Sequence, residues 1–250
     1  MGVFEEYSYY YDLLYKDKNY FKEAEYIDKL LKDEKKEINT ILNMGCGTGN
    51  HDVKLSEFGY KIHGIDLSEE MISEAKQKEC KDLSFEVADI RNYKSKEKYD
   101  AVTSLFHVIS YQNTNEDLLN TFKTAYNSLK EGGVFIFDCW YGSGVLTDLP
   151  TVRVKKVEND KCKVIRIATP EMFAIKNLVH VNYETIIIDK KTKQNKVLNE
   201  VHKMRYLFTP EVEYMLGNVG FNNIKCYEYG SKNKPDFKSW YVCFICKKEN

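Results

Sequence analysis

Between Phe21 and Lys32 the apolar residues Ala24, Ile27, Leu30 and Leu31 recur at helical spacing, and the charged stretch Lys32–Glu37 predicts a turn after them. The rhythm then changes. Ile38–Met44 is a short apolar run ending in glycines, the pattern of a buried parallel strand that leads through a loop into a helix. Tyr60–Asp66 repeats it, and Ser68 is placed to cap a helix whose first turn carries Glu69 and Glu70. Leu83–Ala88 and Tyr99–Phe106 predict a third and a fourth strand. Thr114, with Asp117 three residues on, starts a helix through Leu118, Leu119, Phe122, Ala125 and Leu129, which Glu131-Gly132-Gly133 is expected to stop. Val134–Asp138 is then a fifth strand, and the alternation over about 100 residues predicts an α/β fold with a doubly wound parallel sheet.

After Gly142 and Gly144 the spacing becomes that of strands alone. Val152/Val154, Val164–Ile167, Val179–Ile188 and Val197–Phe208, separated by turns at 158–160 and 190–195, predict an antiparallel meander. Thr209-Pro210-Glu211 starts a last helix, Gly217 and Gly220 stop it, and Ile224–Tyr229 and Trp240–Lys247 return as strands of the main sheet. The expected organisation is an α/β core of residues 1–148 and 209–250, with residues 149–208 inserted as a small antiparallel β cap.

Composition narrows the choice of partners. The 250 residues carry 37 basic and 38 acidic side chains, and so give no net field for nucleic acid. The longest apolar runs fall far short of the ~20 residues of a membrane span, and the acidic, tyrosine-rich opening lacks the features of a secretory leader. Seven scattered cysteines suit a reducing cytoplasm. Cys243 and Cys246 have zinc half-site spacing but no second pair, so no metal is expected.

The sharpest chemical signal is Met44-Gly45-Cys46-Gly47-Thr48-Gly49 at the end of the first strand of the alternation. Glycines at alternate positions allow a tight turn and let a ligand lie directly on backbone N–H groups and the start of the next helix. Asp66 ends the next strand 21 residues after Gly45, where a carboxylate can accept both hydroxyls of an adenosine ribose. Ala88-Asp89-Ile90, after the third strand, can offer a carboxylate to an exocyclic amine and apolar surface to a purine. The three pieces together describe a nucleoside pocket. Asn50 stands where a dinucleotide motif would carry its third glycine, and Gly49-Asn50-His51 is not the Gly-Lys-Ser/Thr of a phosphate-binding loop.

These residues resemble the class I S-adenosylmethionine-dependent methyltransferases, over roughly residues 5–145. The resemblance implies a seven-stranded Rossmann-like sheet with S-adenosylmethionine across the carboxyl ends of the first, second and fourth strands. It implies Gly45, Cys46 and Gly47 under the methionine moiety, Asp66 on the ribose, Leu67 and Met71 against the adenine or ribose, Asp89 and Ile90 at the adenine, and Gly49 and Leu105 also among the cofactor-binding residues. Asn43 departs from the pattern, since the family usually carries an acid there.

A narrower resemblance joins the chain to N-methyltransferases of nucleotide-linked amino sugars. It rests on Tyr11-Asp12-Leu13-Leu14-Tyr15, on Phe106 and Tyr111 after the fourth strand, and on the late meander. It implies a small-molecule acceptor, with Tyr11 and Tyr15 as a lid over the cofactor and Tyr11 as a second catalytic candidate. Trp140, Tyr141, His202, Arg205 and Tyr206 would form the acceptor wall, and a homodimer is an assembly to test. His107 is the best-placed titratable group for a general base, a role a hydroxyl acceptor would need more than an amine. An O-methyltransferase and a non-catalytic nucleoside-binding protein are the competing readings. At single residues, His107 can equally be a packed core histidine, and Tyr11 and Tyr15 can simply pack their helix.

Overall fold

The computed structural model describes residues 8–35 and 37–249. Residues 1–7, and with them Tyr7 and most of the opening that was expected not to be a leader, lie outside the described residues.

Helices α1 (Ser8–Leu14) and α2 (Tyr20–Glu34) precede strand β1 (Thr40–Met44). The Asn19 side chain accepts the Lys22 N–H at the start of α2, and the stripe Ala24, Ile27, Leu30 and Leu31 is buried on the sheet. The alternation continues through α3 (Asn50–Ser56), β2 (Lys61–Asp66), α4 (Glu69–Lys76), β3 (Leu83–Val87), β4 (Tyr99–Ser104), α5 (Asn115–Ser128) and β5 (Leu129–Tyr141). Ser68 and Thr114 cap α4 and α5 by accepting the N–H groups of Met71 and Asp117. α5 ends earlier than the glycine pair suggested: Leu129 is already extended and pairs with Tyr99. The pairing resumes at Val134↔Ala101, so residues 130–133 form a bulge inside β5 and do not stop a helix.

After the short α6 (Gly142–Thr147) come β6 (Arg153–Glu158), β7 (Cys162–Phe173), β8 (Leu178–Asp189) and β9 (Asn195–Leu207), each antiparallel to the one before. Helix α7 (Thr209–Val219), with Pro210 in its first turn and Gly220 in the left-handed conformation as its cap, leads to β10 (Phe221–Glu228) and β11 (Tyr241–Lys248). Gly217 lies inside that helix.

β1 to β5 form a parallel sheet in the order β3-β2-β1-β4-β5, and β11 then pairs antiparallel with β5 and with β10. Alternate residues of β1 face opposite ways: Ile41 packs with α2 and α4, and Leu42 with α5 and α7. Both faces are therefore covered, which is why these strands read as apolar runs. At its carboxyl end β5 outruns the core sheet, and Trp140 and Tyr141 pair with Tyr206 and Leu207 of β9. The meander thus grows out of β5, and the eleven strands among the described residues make one continuous sheet. The chain leaves β1 in one direction along the sheet and returns through β4 to build the other, which opens a crevice at the carboxyl ends of these two strands. No helix among the described residues is long and apolar enough to cross a membrane.

Candidate active site

The crevice is built on the glycine loop. Gly45, Gly47 and Gly49 all have positive φ, and the N–H groups of Gly45 and Cys46 donate to the Ile65 carbonyl at 2.7 and 2.9 Å, tying the loop to β2. A Cβ on Gly45 would stand 2.4 Å from Val108, and one on Gly49 2.5 Å from Phe85, whereas one on Gly47 would meet nothing within 4 Å. Packing therefore demands glycine at 45 and 49, and Gly47 offers bare backbone. At the end of β2, Asp66 accepts the Gly47 N–H at 2.9 Å and the Ser68 N–H at 3.0 Å. Burial pushes its carboxyl above the ordinary range, opposed by the N–H groups of Ser68, Gly47 and Leu67.

A cavity of about 720 Å³ opens over this loop, within the ~300–1,000 Å³ of small-molecule sites. Around its glycine-loop end lie Gly45, Cys46, Gly47, Asp66, Leu67, Met71, Asp89, Ile90 and Leu105. Asp89 is held there by Arg91, whose guanidinium hydrogen-bonds both its oxygens and keeps the carboxyl below its ordinary range. The Cys46 thiol is buried and pushed well up, so it is no thiolate nucleophile. Gly49 is not on the wall; it caps α3.

Tyr11 of α1 and Tyr15 in the turn after it line the cavity, 4.7 Å apart between ring centroids, and Tyr15 stands edge-on to Phe106. Helix α1 is pinned to the glycine loop. Thr48 Oγ1 and Asn50 Nδ2 donate to Asp12 Oδ1 at 2.8 and 2.9 Å, and Lys78 Nζ holds the Thr48 carbonyl. Leu14 then packs between Met71 of the core and Val157, Val164 and Ile187 of the meander.

Trp140, Tyr183, His202 and Met204 form the wall farther from the loop. Tyr141, Arg205 and Tyr206 do not reach the cavity. His202 and Met204 share one face of β9, so Arg205 points to the other, where it donates to Asn115 Oδ1 at 2.7 Å and pairs with Glu211 at 3.7 Å. Tyr206 is sealed in a cluster with Val145, Val179 and Met204, and Tyr141 packs on the main core. The alternation of β9 was the available signal for Met204. Tyr183, Gln112, Arg91 and Tyr20, also on the wall, come from four different segments, and no local pattern marks them.

Three histidines line the cavity. His51 Nε2 lies 2.7 Å from Glu23, and the Tyr229 hydroxyl donates to the same carboxylate. Burial raises the Glu23 carboxyl, but hydrogen bonding and charge from His51, with Lys18, outweigh it and hold the group at about 2. His202 Nδ1 shares a 2.7 Å hydrogen bond with the Tyr111 hydroxyl, and its Nε2 faces Glu200 at 3.4 Å. His107 lies with Nδ1 2.5 Å from Oδ2 of buried Asp138.

Asn43 stays off the cavity. Its amide donates to Asp52 Oδ2 at 2.9 Å, and its carbonyl accepts from Thr103 Oγ1 at 3.1 Å. Asp52 is fully buried with Oδ1 unpartnered among the described residues, and desolvation lifts its carboxyl to about 7. Because the folded value is raised, this group's contribution to stability is complete below the ordinary 3.8 and is lost as the pH rises through about 7. Asp52→Asn keeps the shape without the charge. Its stability advantage over the wild type should widen by about 2 kcal/mol between pH 5.5 and 7, or roughly 4–8 °C in thermal midpoint. Scanning calorimetry at both pH values checks this, and a gap that does not change with pH would refute the buried-carboxylate account.

The wall residues suit an adenosyl cofactor. Gly47 offers open backbone, Asp66 a carboxylate for vicinal hydroxyls, and Leu67, Met71, Ile90 and Leu105 apolar surface for a base. The family described as "Methyltransferase domain" matches residues 41–133, the stretch that carries the loop, Asp66 and Asp89. The chain is 27% identical to the putative methyltransferase YqeM of Bacillus subtilis over 249 residues, 98% of this chain and 97% of that one. An S-adenosylmethionine-dependent methyltransferase from Clostridium acetobutylicum superposes with a TM-score of 0.82 at 24% identity, covering 97% of both chains.

The chain is a methyltransferase.

A further relative of this methyltransferase is the dTDP-3-amino-3,4,6-trideoxy-alpha-D-glucopyranose N,N-dimethyltransferase of Streptomyces venezuelae, 33% identical over 134 residues. That match spans 52% of the methyltransferase described here and 56% of the relative.

Proposed function

We propose that the protein methylates the amine of a nucleotide-linked amino sugar. When bound, the sulfonium cofactor supplies an electrophilic methyl group, so the chain's task is to orient a neutral nucleophile in line and keep water out. The observation that carries the reading is the second half of the cavity. Beyond the glycine loop it continues to a wall of Trp140, Tyr183, His202 and Met204, which leaves room for an acceptor beside the cofactor. That wall is aromatic and hydrogen-bonding, which suits the apolar face and remaining polar groups of a deoxysugar. Arg166 stacks over Tyr183 at 4.6 Å and donates to the Tyr15 hydroxyl at 3.1 Å, which braces two tyrosines of the wall against each other. The relative in Streptomyces venezuelae, which by name acts on such a sugar, adds support.

In this reading Asp66 holds the ribose, Asp89 with Ile90 the adenine, and Gly45–Gly47 the methionine end. Tyr11 and Tyr15 cover the site, and residues 149–208 act as the acceptor-binding cap. The odd number and scatter of the seven cysteines suit a reducing cytoplasm as its place. The test is a labelled-methyl transfer assay with the dTDP-linked 3-amino sugar of that relative and the corresponding 3-hydroxy sugar nucleotide side by side. Label entering only the amine is expected. Label entering only the hydroxyl compound, or neither, would overturn the reading.

A further inference from the structure

We infer that His107 and Asp138 form a proton-accepting pair at the acceptor end of the cavity, with His107 touching substrate and Asp138 positioning it. Phe106 and His107, which follow β4 after Leu105, both sit at positive φ, 68° and 67°. Two successive non-glycine residues in this region are strained and persist only where the surroundings over-determine them. Asp138 is one of those determinants. Wholly buried on β5, it accepts the His107 backbone N–H on Oδ2 at 3.1 Å, and the ring Nδ1 approaches the same oxygen at 2.5 Å. This approach is oblique, not a formed hydrogen bond, a common state for such pairs before substrate binds. Tyr241 of β11 stacks on the imidazole at 4.4 Å and 15°, which fixes the ring plane. One carboxylate oxygen thus sets both the strained backbone and the ring.

A carboxylate at Nδ1 favours the tautomer with the proton on that nitrogen and leaves a lone pair on Nε2. Nε2 of His107 has no hydrogen-bond partner among the described residues, and the residue lines the cavity. The two other cavity histidines differ. His51 Nε2 is taken by Glu23, and His202 is engaged at both ring nitrogens. A sugar amine near neutral pH is largely an ammonium and has no lone pair to attack with. The step assigned to His107 breaks one N–H bond of that ammonium and forms an Nε2–H bond. The electron pair stays on the substrate nitrogen as the nucleophile, and the imidazolium later returns its proton to water. The acceptor in this step rests on the amino-sugar reading above; the pairing of the two side chains does not.

Two measurements together test it. Nitrogen-15 spectra of the histidine-labelled protein with S-adenosylmethionine bound, with His107 assigned by loss of its signals in His107→Gln, should show Nδ1 protonated and Nε2 bare, a pattern lost in Asp138→Asn. A ring protonated on Nε2, or one indifferent to Asp138→Asn, would overturn the pairing whatever the acceptor proves to be. The kinetic arm uses His107→Gly, because glycine accepts positive φ without strain and leaves space for added imidazole. With the dTDP-linked 3-amino sugar, kcat should fall about 10²–10³-fold, recover at least tenfold with imidazole, and leave cofactor affinity within threefold. Retained kcat, or a loss that imidazole does not touch, would overturn the catalytic role. A wild type inactive on the sugar while the spectra still show the bare Nε2 would count against the amino-sugar reading and leave the pair standing.

Discussion

Asp66→Ala should weaken S-adenosylmethionine binding by about 10–100-fold, the equivalent of one charge-assisted hydrogen bond of ~1.5–3 kcal/mol. The carboxylate ends β2 inside the cavity, and it already orders the loop by accepting the Gly47 and Ser68 N–H groups. Alanine removes the hydroxyl acceptor and leaves two loop donors unpaired. Asp66→Asn keeps an acceptor oxygen without the charge and should lose less, about tenfold. Calorimetric titration of the three proteins decides it, and affinities within twofold of one another would show that Asp66 is a loop brace and not a cofactor ligand.

The glycines should separate into two kinds when replaced. Gly45→Ala combines positive φ, worth ~1–2 kcal/mol, with a clash against Val108 inside a packed wall, worth ~1–3 kcal/mol, and so should lower the thermal midpoint on the order of 10 °C. Gly47→Ala has the backbone cost without the clash and should cost only ~1–2 kcal/mol of stability. Its methyl group, however, would project where a ligand lies on bare backbone, so cofactor affinity should fall at least tenfold although the protein stays folded. Midpoints and affinities measured on both variants check the split. Equal destabilisation with unchanged affinity in Gly47→Ala would remove that residue from the cofactor site.

Much of this was legible in the residues because the signals are local. The caps Ser68 and Thr114 bond N–H groups three residues on, and the helical stripe of α2 needs only its own spacing. The glycine loop and Asp66 could be read together because β1 and β2 are parallel neighbours, which brings the ends of consecutive strands side by side. The bulge in β5 was not legible. Glycines after a helix suit a stop and a bulge equally, and the choice fell to Leu129, whose extended backbone pairs with Tyr99. Asn43 was misleading for a similar reason: its meaning depends on Asp52 and Thr103, nine and sixty residues away.

The acceptor side shows the limit most clearly. His202, Arg205 and Tyr206 of β9 were all candidates, yet the pleat turns Arg205 away and the junction with β5 seals Tyr206, so His202 and Met204 face the cavity from that strand. Likewise His107 could be named as a titratable group beside the fourth strand, but Asp138 lies 31 residues later, inside an apolar strand, with nothing in its neighbourhood to link them. By itself the sequence determined the alternation of elements, their caps, the glycine loop and the carboxylates that follow it, because periodicity, capping and backbone geometry act within a few residues. Tertiary structure alone decided which side chains share the cavity, which histidine is paired and at which nitrogen, and how the meander joins β5. Those outcomes depend on strand order and register, and so on contacts between segments far apart in the chain.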